Sequence, residues 1–328
     1  MPHGTHPRSG SLQVWPRKKA KRIYPKVNPY TLNSSSKLLS FAGYKVGMTH
    51  ALYLDSNPTS PTKNEQVVSS VTIVECPPLK VFGIRFYRKD PNYGSSVLYE
   101  KISSKLDKEL IRKINIPKKF NEKNIDEILN KSSEVRLLVH TQPKLTTIGK
   151  KVPEIFEVAI AKEDAKAQYE HASSLFEKEI NIIDVFKEGQ FIDVHAVTKG
   201  KGFQGTVKRF GVKLKDHKSE KKKRSVGNLG PIRPSKVLFT VPQTGQMGYH
   251  TRTDLNKLIL KISSNPKELE TKQGYRHYGL IKNDFILIKG SIPGPNKRLI
   301  RFTEARRNKK QRPLQLSFIR TWKQTYSV

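Results

Sequence analysis

The sequence predicts a mainly β protein, a barrel or sandwich, that carries a helical insertion and long basic extensions. Three observations point there. Short β-branched or glycine-punctuated runs recur between clusters of turn residues, which favours closed or stacked sheets over a parallel one. Apolar residues at helical spacing are concentrated in a middle stretch. That stretch is also charge-balanced: residues 99–190 hold 17 Lys/Arg against 16 Asp/Glu, whereas the 328-residue chain holds 62 against 28, a formal net charge of +34. Nearly all the excess charge therefore lies outside the middle.

Residues 1–36 contain no acid and carry Arg8, Arg17, Lys18, Lys19, Lys21, Arg22 and Lys26 among five prolines. Their apolar surface is too small to offset the entropy of ordering, so they read as a basic extension that orders on a polyanion. Residues 37–98 read as the first part of the β body. Leu38–Thr49 suits a strand pair, Val67–Glu75 is β-branched and half alternating, and Val81–Tyr87 is a further strand, with turn chemistry at Pro77-Pro78 and Asp90-Pro91-Asn92. Residues 99–184 read as the helical insertion. Leu106, Leu110 and Ile114 recur every fourth residue, and Ile125, Ile128 and Leu129 follow Pro117. Val135–Val139 suits a buried strand, and Glu163–Glu179 is the clearest helix, with Ala165, Tyr169, Ala172 and Phe176 close to one face. The β body resumes over 185–198 with Phe191–Thr198. A long basic loop occupies 199–256. Residues 257–304 bring strands at Leu258–Ile262, Leu280-Ile281 and Phe285–Ile288, and 305–328 form a basic tail with Arg306, Arg307, Lys309, Lys310 and Arg312.

A charge of +34 makes a folded chain repel itself unless a polyanion neutralises it, and nucleic acid is the usual candidate. An anionic membrane surface and duplex DNA are the alternatives at this point. Cys76 is the single cysteine, so neither an intrachain disulfide nor a cysteine-based zinc site is expected, and a reducing compartment fits. Met1–Gly10 lacks the apolar run of a signal peptide, and no stretch is long and apolar enough to span a bilayer. The nine histidines show no H-x-x-x-H or H-E-x-x-H spacing, and nucleophile elbow and P-loop patterns are missing. The expectation is a non-enzyme with no catalytic residues, no metal and no cofactor.

Gly200-Lys201-Gly202-Phe203-Gln204-Gly205 follows a predicted strand and fits the dinucleotide pattern G-x-G-x-x-G, which keeps a nucleotide enzyme as a rival reading. That pattern needs a helix starting at the third glycine, whereas Thr206–Val212 is β-branched, aromatic and glycine-interrupted and reads as extended. Glycines let backbone approach a phosphate or ribose closely. Lys199, Lys201, Lys208 and Arg209 supply charge around them, and Phe203 and Phe210 offer planar faces to exposed bases. From Lys199 to Arg224 there are 11 Lys/Arg and two acids, Asp216 and Glu220. The Lys221–Arg224 run also suits a solvated loop or a nuclear import patch, but so long a loop in a compact domain points to function. His250, within Gly248-Tyr249-His250-Thr251-Arg252, reads as an RNA-facing polar residue. The candidate RNA contacts are Arg8, Arg17, Lys18, Lys19, Lys21, Arg22, Lys199, Gly200, Lys201, Gly202, Phe203, Gly205, Lys208, Arg209, Phe210, His217, Lys222, Lys223, Arg224, Arg233, Tyr249, His250, Arg252, Lys297 and Arg298.

Four ordered stretches resemble the ribosomal L-three family, in its archaeal form. They are Pro7–Leu12 with Pro16–Lys21; Phe41–His50; Val197–Gly205 with Lys208–Gly211; and Gly245–Thr253 with Lys282–Phe285 and Gly290–Pro295. The resemblance implies a six-stranded β-barrel related to the second domain of translation factors, with a helical insertion. It implies a cytoplasmic protein of the large ribosomal (50S) subunit that binds 23S rRNA near its 3′ end and helps start assembly. The long loop and the N-terminal arm would run toward the peptidyl-transferase centre, beside ribosomal proteins L-fourteen and L-twenty-four-e, with no membrane or DNA partner. At the loop tip, Gly230-Pro231-Ile232-Arg233-Pro234 places Ile232 where many members carry Trp. Isoleucine packs but does not stack as an indole does, so the behaviour of that Trp is not carried over.

Overall fold

The computed structural model describes residues 10–27, 38–92, 94–116, 124–161, 164–218, 222–269, 271, 273–307, 311 and 315–320. Arg8, Lys309, Lys310, Arg312, Lys221 and Glu163, named above, lie outside them. The fold is mainly β. In chain order the elements are β1 (Ser40–Leu54), β2 (Gln66–Glu75), β3 (Leu79–Asp90), β4 (Gly94–Ile102), α1 (Ile125–Lys131), β5 (Glu134–His140), β6 (Ile155–Ala159), α2 (Ala165–Leu175), β7 (Glu179–Ile180), β8 (Phe191–Val197), β9 (Phe203–Gln204), α3 (Thr206–Phe210), β10 (Gly245–Gln246), β11 (Thr251–Ser263), β12 (Phe285–Lys289), β13 (Leu299–Glu304) and β14 (Gln315–Ile319). The chain divides into two compact units. One comprises Met1–Ile23 with Val197–Arg252, and the other Tyr24–Ala196 with Thr253–Val328.

In the larger unit, one sheet runs in the order β13-β8-β11-β12-β2-β1-β14, and β13 also pairs with β1. The register sets apolar residues opposite one another, as in Phe41 with Phe302, Ile73 with Leu287, and Val194 with Phe302. These side chains are fully buried. Gly43 on β1 allows the approach of β2, because a Cβ there would stand 2.7 Å from the Cys76 sulfur and 2.8 Å from the Glu75 carbonyl oxygen. Cys76 is itself fully buried, which pushes its thiol pKa up. A second sheet runs β4-β3-β5-β6, with β7 on β3. Arg301 of β13 links the two sheets of this unit. It is buried, stacks on Phe156 and donates to the Glu157 carbonyl at 2.8 Å.

The expected helical insertion over 99–184 is largely this second sheet with short helices on it. Leu106, Leu110 and Ile114 do not form a helix. Only a 3₁₀ turn, Lys108–Arg112, occurs there, and Asp107 makes no side-chain cap. The four-residue spacing reflects one buried residue, Leu110, flanked by Leu106 and Ile114 against Phe82 and Leu138. The helix expected over Glu163–Glu179 is α2, and Ala165, Tyr169, Ala172 and Phe176 do pack on the core. Its Gln168 accepts from the Val135 amide at 2.7 Å, which fixes the start of β5.

Two further expectations change. Leu280-Ile281 is not a strand. Its chain is drawn aside by Thr147, whose hydroxyl donates to the Leu280 carbonyl at 2.7 Å, and by the buried Glu75, which accepts from the amides of Lys282 and Asn283 at 2.9 and 3.0 Å. The tail over 305–328 contains β14, which pairs with β1 and packs Leu316 and Ile319 on the core.

Candidate nucleic-acid interface

The smaller unit carries most of the expected RNA contacts. Its described residues hold eighteen Lys/Arg and one acid, Asp216, so these cations have almost no carboxylate to pair with.

The base of the long loop is zipped shut by backbone hydrogen bonds. β9 pairs antiparallel with β10. The Lys201 amide donates to the Met247 carbonyl at 3.0 Å, the Met247 amide to Gly202 at 2.9 Å, and the Thr198 amide to His250 at 2.9 Å. Gly248 sits at φ +69°, and a Cβ there would overlap the carbonyl oxygen of Lys199, so only glycine fits this crossing. After Gly205 the chain makes a single turn of helix, α3, rather than the extended segment the composition suggests. The turn ends at Gly211, in the left-handed region at φ +65°. The sequence signal for α3 is the pair of bounding glycines. The flanking strands are antiparallel, so the glycine pattern is not embedded in the parallel βαβ unit of a dinucleotide site.

The N-terminal arm is bound into this unit. The Ala20 amide donates to the Tyr249 carbonyl at 2.8 Å. His250 is buried, and its Nδ1 donates to the Lys18 carbonyl at 2.9 Å. The Arg17 guanidinium lies 4.7 Å from the Phe210 ring centre and 5.4 Å from that of Trp15. Trp15 in turn packs on Phe239 at 5.7 Å. Residues 10–23 of the basic extension thus make defined contacts with the loop.

Two expected RNA contacts therefore face inward. Phe210 is 4% exposed, and Arg17 and Arg209 lie over its ring, so it is a packing residue and not a stacking face. His250 is turned to the arm because the ring N–H of a residue only 6% exposed must find an acceptor, and the Lys18 carbonyl supplies it. Arg209 is partly structural too. It donates to the carbonyls of Gln243 at 2.8 Å and Gln246 at 3.1 Å, and burial lowers its pKa.

The remaining candidates face outward or lie at the surface. Phe203 is 75% exposed. Lys18, Lys19, Lys21, Arg22, Lys199, Gly200, Lys201, Gly202, Lys208, His217, Lys222, Lys223, Arg224 and Arg233 are exposed, while Arg17, Tyr249 and Arg252 are half-buried. No protein atom stands within 4 Å of a Cβ built at Gly202 or Gly205. Gly205, Lys208, Lys222, Lys223 and Arg224 come together around one open groove of about 980 Å³. The larger unit carries Lys297, exposed at φ +67°, and the half-buried Arg298 on the turn before β13. That turn is held by Lys45, which sequence reasoning missed. Its buried ammonium donates to the Ile292 and Gly294 carbonyls at 2.6 and 3.0 Å, and burial lowers its pKa. No pattern around Lys45 marks it, since its partners lie some 250 residues away.

Among the described residues no group of three His, Cys, Asp or Glu side chains is placed to hold a metal, and no helix is long and apolar enough to cross a membrane. Compared with known proteins, residues 1–327 match the family Ribosomal protein L3. The chain belongs to the ribosomal protein L3 family. It is 44% identical to the large ribosomal subunit protein uL3 of Methanobrevibacter smithii, over 96% of each chain. It is 46% identical to that of Methanococcus aeolicus over 92% of each, and 47% identical to that of Archaeoglobus fulgidus over 91% of each. The family match thus spans both units, including the arm and the loop.

Proposed function

We propose that this L3-family chain is a structural constituent of the large ribosomal subunit and binds 23S rRNA through the arm–loop unit. The observation that carries the reading is the segregation of charge: eighteen cations with one acid among the described residues of a unit whose backbone is pinned at both ends of the loop. A polyanion threaded by ribonucleoprotein segments is the partner that matches it. In this reading the protein works in the cytoplasm within the ribosome. It binds near the 3′ end of 23S rRNA early in assembly, directs the loop toward the peptidyl-transferase centre, and neighbours ribosomal proteins L-fourteen and L-twenty-four-e. It carries no catalytic residue. Lys199, Lys201, Lys208, Lys222, Lys223, Arg224 and the arm cations meet phosphates, and Phe203 meets a base.

The body that anchors these arms is read as a six-stranded barrel. The pairing of β13 with both β8 and β1 supports this, since it returns the strand order on itself with β14 outside. β1, β2, β8, β11, β12 and β13 would supply it; of the expected body segments, β3 and β4 within 37–98 lie in the second sheet instead, and β11 starts inside the expected 199–256 loop.

Binding of the full chain to a 3′ fragment of 23S rRNA across a salt series tests the reading. Each neutralised phosphate contributes roughly 0.7–0.9 to the slope of log affinity against log salt. The slope should correspond to several contacts and fall when residues 1–23 are removed. A slope worth only one or two contacts, or equal affinity for duplex DNA or anionic vesicles at the same ionic strength, would refute it.

A further inference from the structure

The groove beside α3 has a feature that phosphate binding does not use. Its cations, Lys208, Lys222, Lys223 and Arg224, line it together with Val207, Val226 and Leu229. Val207 and Val226 are half-buried, and Leu229 is 51% exposed. Gln204 and Gln243 also line it, and among the described residues no acidic one does. At about 980 Å³ the groove is at the top of the range, roughly 300–1,000 Å³, that holds small-molecule-sized groups.

A double helix cannot use these aliphatic walls. A-form RNA presents phosphates and 2′-hydroxyls outward and keeps its base faces stacked inside. Against such a surface the valines and the leucine would lose water and gain no apolar partner. An unstacked base has two apolar faces and a polar edge, which is the chemistry of an aliphatic wall beside carboxamides, while the adjoining phosphates meet the lysines and Arg224. Gly205, with open space where a side chain would stand, leaves room for the sugar–phosphate chain at the rim.

We infer that this groove is a single-strand subsite: it takes unstacked ribonucleotides from a loop or bulge of the RNA and does not clamp a duplex. The inference rests on the rRNA-binding reading and narrows it to one class of RNA structure at one place.

The test uses the full chain and two probes, a short unstructured oligouridylate and an RNA duplex of equal length, at one ionic strength. The Val226→Ser/Leu229→Ser double variant removes the apolar walls at one half-buried and one exposed site, and circular dichroism checks its fold. Lys208→Ala removes charge alone. The double variant should weaken oligouridylate binding by about tenfold, from the apolar area it deletes, and leave duplex binding within about twofold. Lys208→Ala should weaken both probes alike, by the loss of one counterion-releasing contact. If the folded double variant weakens both probes equally, or neither, or if the parent prefers the duplex, the single-strand subsite is wrong while RNA binding stands. If neither probe binds the parent in a salt-dependent way, the rRNA-binding reading fails together with the inference.

Discussion

Replacing Phe210 by leucine tests whether the arm is held by the loop before any RNA arrives. Leucine keeps an apolar group of similar reach in a site only 4% exposed, but it removes the ring faces over which Arg17 and Arg209 lie at 4.7 and 5.1 Å. Only the Arg17 contact joins the arm to the loop, because Arg209 and Phe210 both lie in α3. A cation–π contact at a partly solvated site contributes about 0.5–1 kcal/mol, so its loss should cost the arm about that much. Each 1.4 kcal/mol is roughly a tenfold change in an equilibrium. The reporter is the Ala20 amide, which donates to the Tyr249 carbonyl at 2.8 Å and opens when the arm leaves the loop. In RNA-free full-length protein this amide should be protected from hydrogen exchange. Phe210→Leu should accelerate its exchange by roughly 2- to 5-fold, while core amides such as Ile73 and Ile286 exchange as before. Free exchange of Ala20 in the parent protein would refute the reasoning, returning the arm to a segment that orders only on RNA. Unchanged protection in the variant would show that Phe210 is not what holds it.

Four more outcomes follow from the geometry. Gly205→Ser keeps a good helix cap at an ordinary φ of −71° and meets no protein atom, so it should fold normally yet compete poorly with the parent for places in assembled subunits; normal incorporation would mean no RNA backbone comes close there. Gly202→Val adds left-handed strain at φ +69° and should be worse than Lys201→Ala in the same competition, with circular dichroism separating misfolding from lost contact. Glu75→Gln should lower stability in urea by about 2–3 kcal/mol, because a fully buried carboxylate that accepts from the Tyr278 hydroxyl, two backbone amides and the Asn283 side chain would become a carboxamide facing donors; an unchanged midpoint contradicts that cradle. His195, set between Thr253 and Thr303, has its pKa pushed down from 6.5 to about 4, mainly by burial and further by the charge of Arg301. The unfolded chain then takes up the proton first as pH falls, so the stabilisation from neutral His195 is complete above about pH 6.5 and drains away toward pH 4. The advantage of the parent over His195→Gln should shrink by at most about 3 kcal/mol across that window, and a gap independent of pH would contradict it.

What could be read from the sequence followed from how far each interaction reaches. Val67–Glu75 and Phe285–Ile288 announce strands because β-branched and apolar runs act locally, and both are core strands. Charge segregation is likewise additive along the chain, and it located the arm–loop unit. Leu106, Leu110 and Ile114 misled because a four-residue spacing also arises when one turn lies on a sheet. Phe210 and His250 misled because their partners are remote: His250 bonds a carbonyl 232 residues earlier, so composition shows an aromatic or a polar residue among lysines but not which way it turns. Lys282-Asn283 shows the converse. It lies in a stretch that resembles the family, and in the fold it cradles Glu75. The groove walls Val207, Val226 and Leu229 carried no periodic signal, since the loop itself brings them together.

Protein–RNA crosslinking in assembled large subunits tests most directly whether the arm–loop unit is the RNA-binding face of this chain. Crosslinks to 23S rRNA should concentrate in residues 10–23 and 199–252, with Phe203, Lys208 and Arg224 among the crosslinked positions and the charge-balanced stretch 99–190 sparsely represented. Crosslinks spread evenly along the chain, or concentrated in 99–190 and missing from the loop, would contradict it.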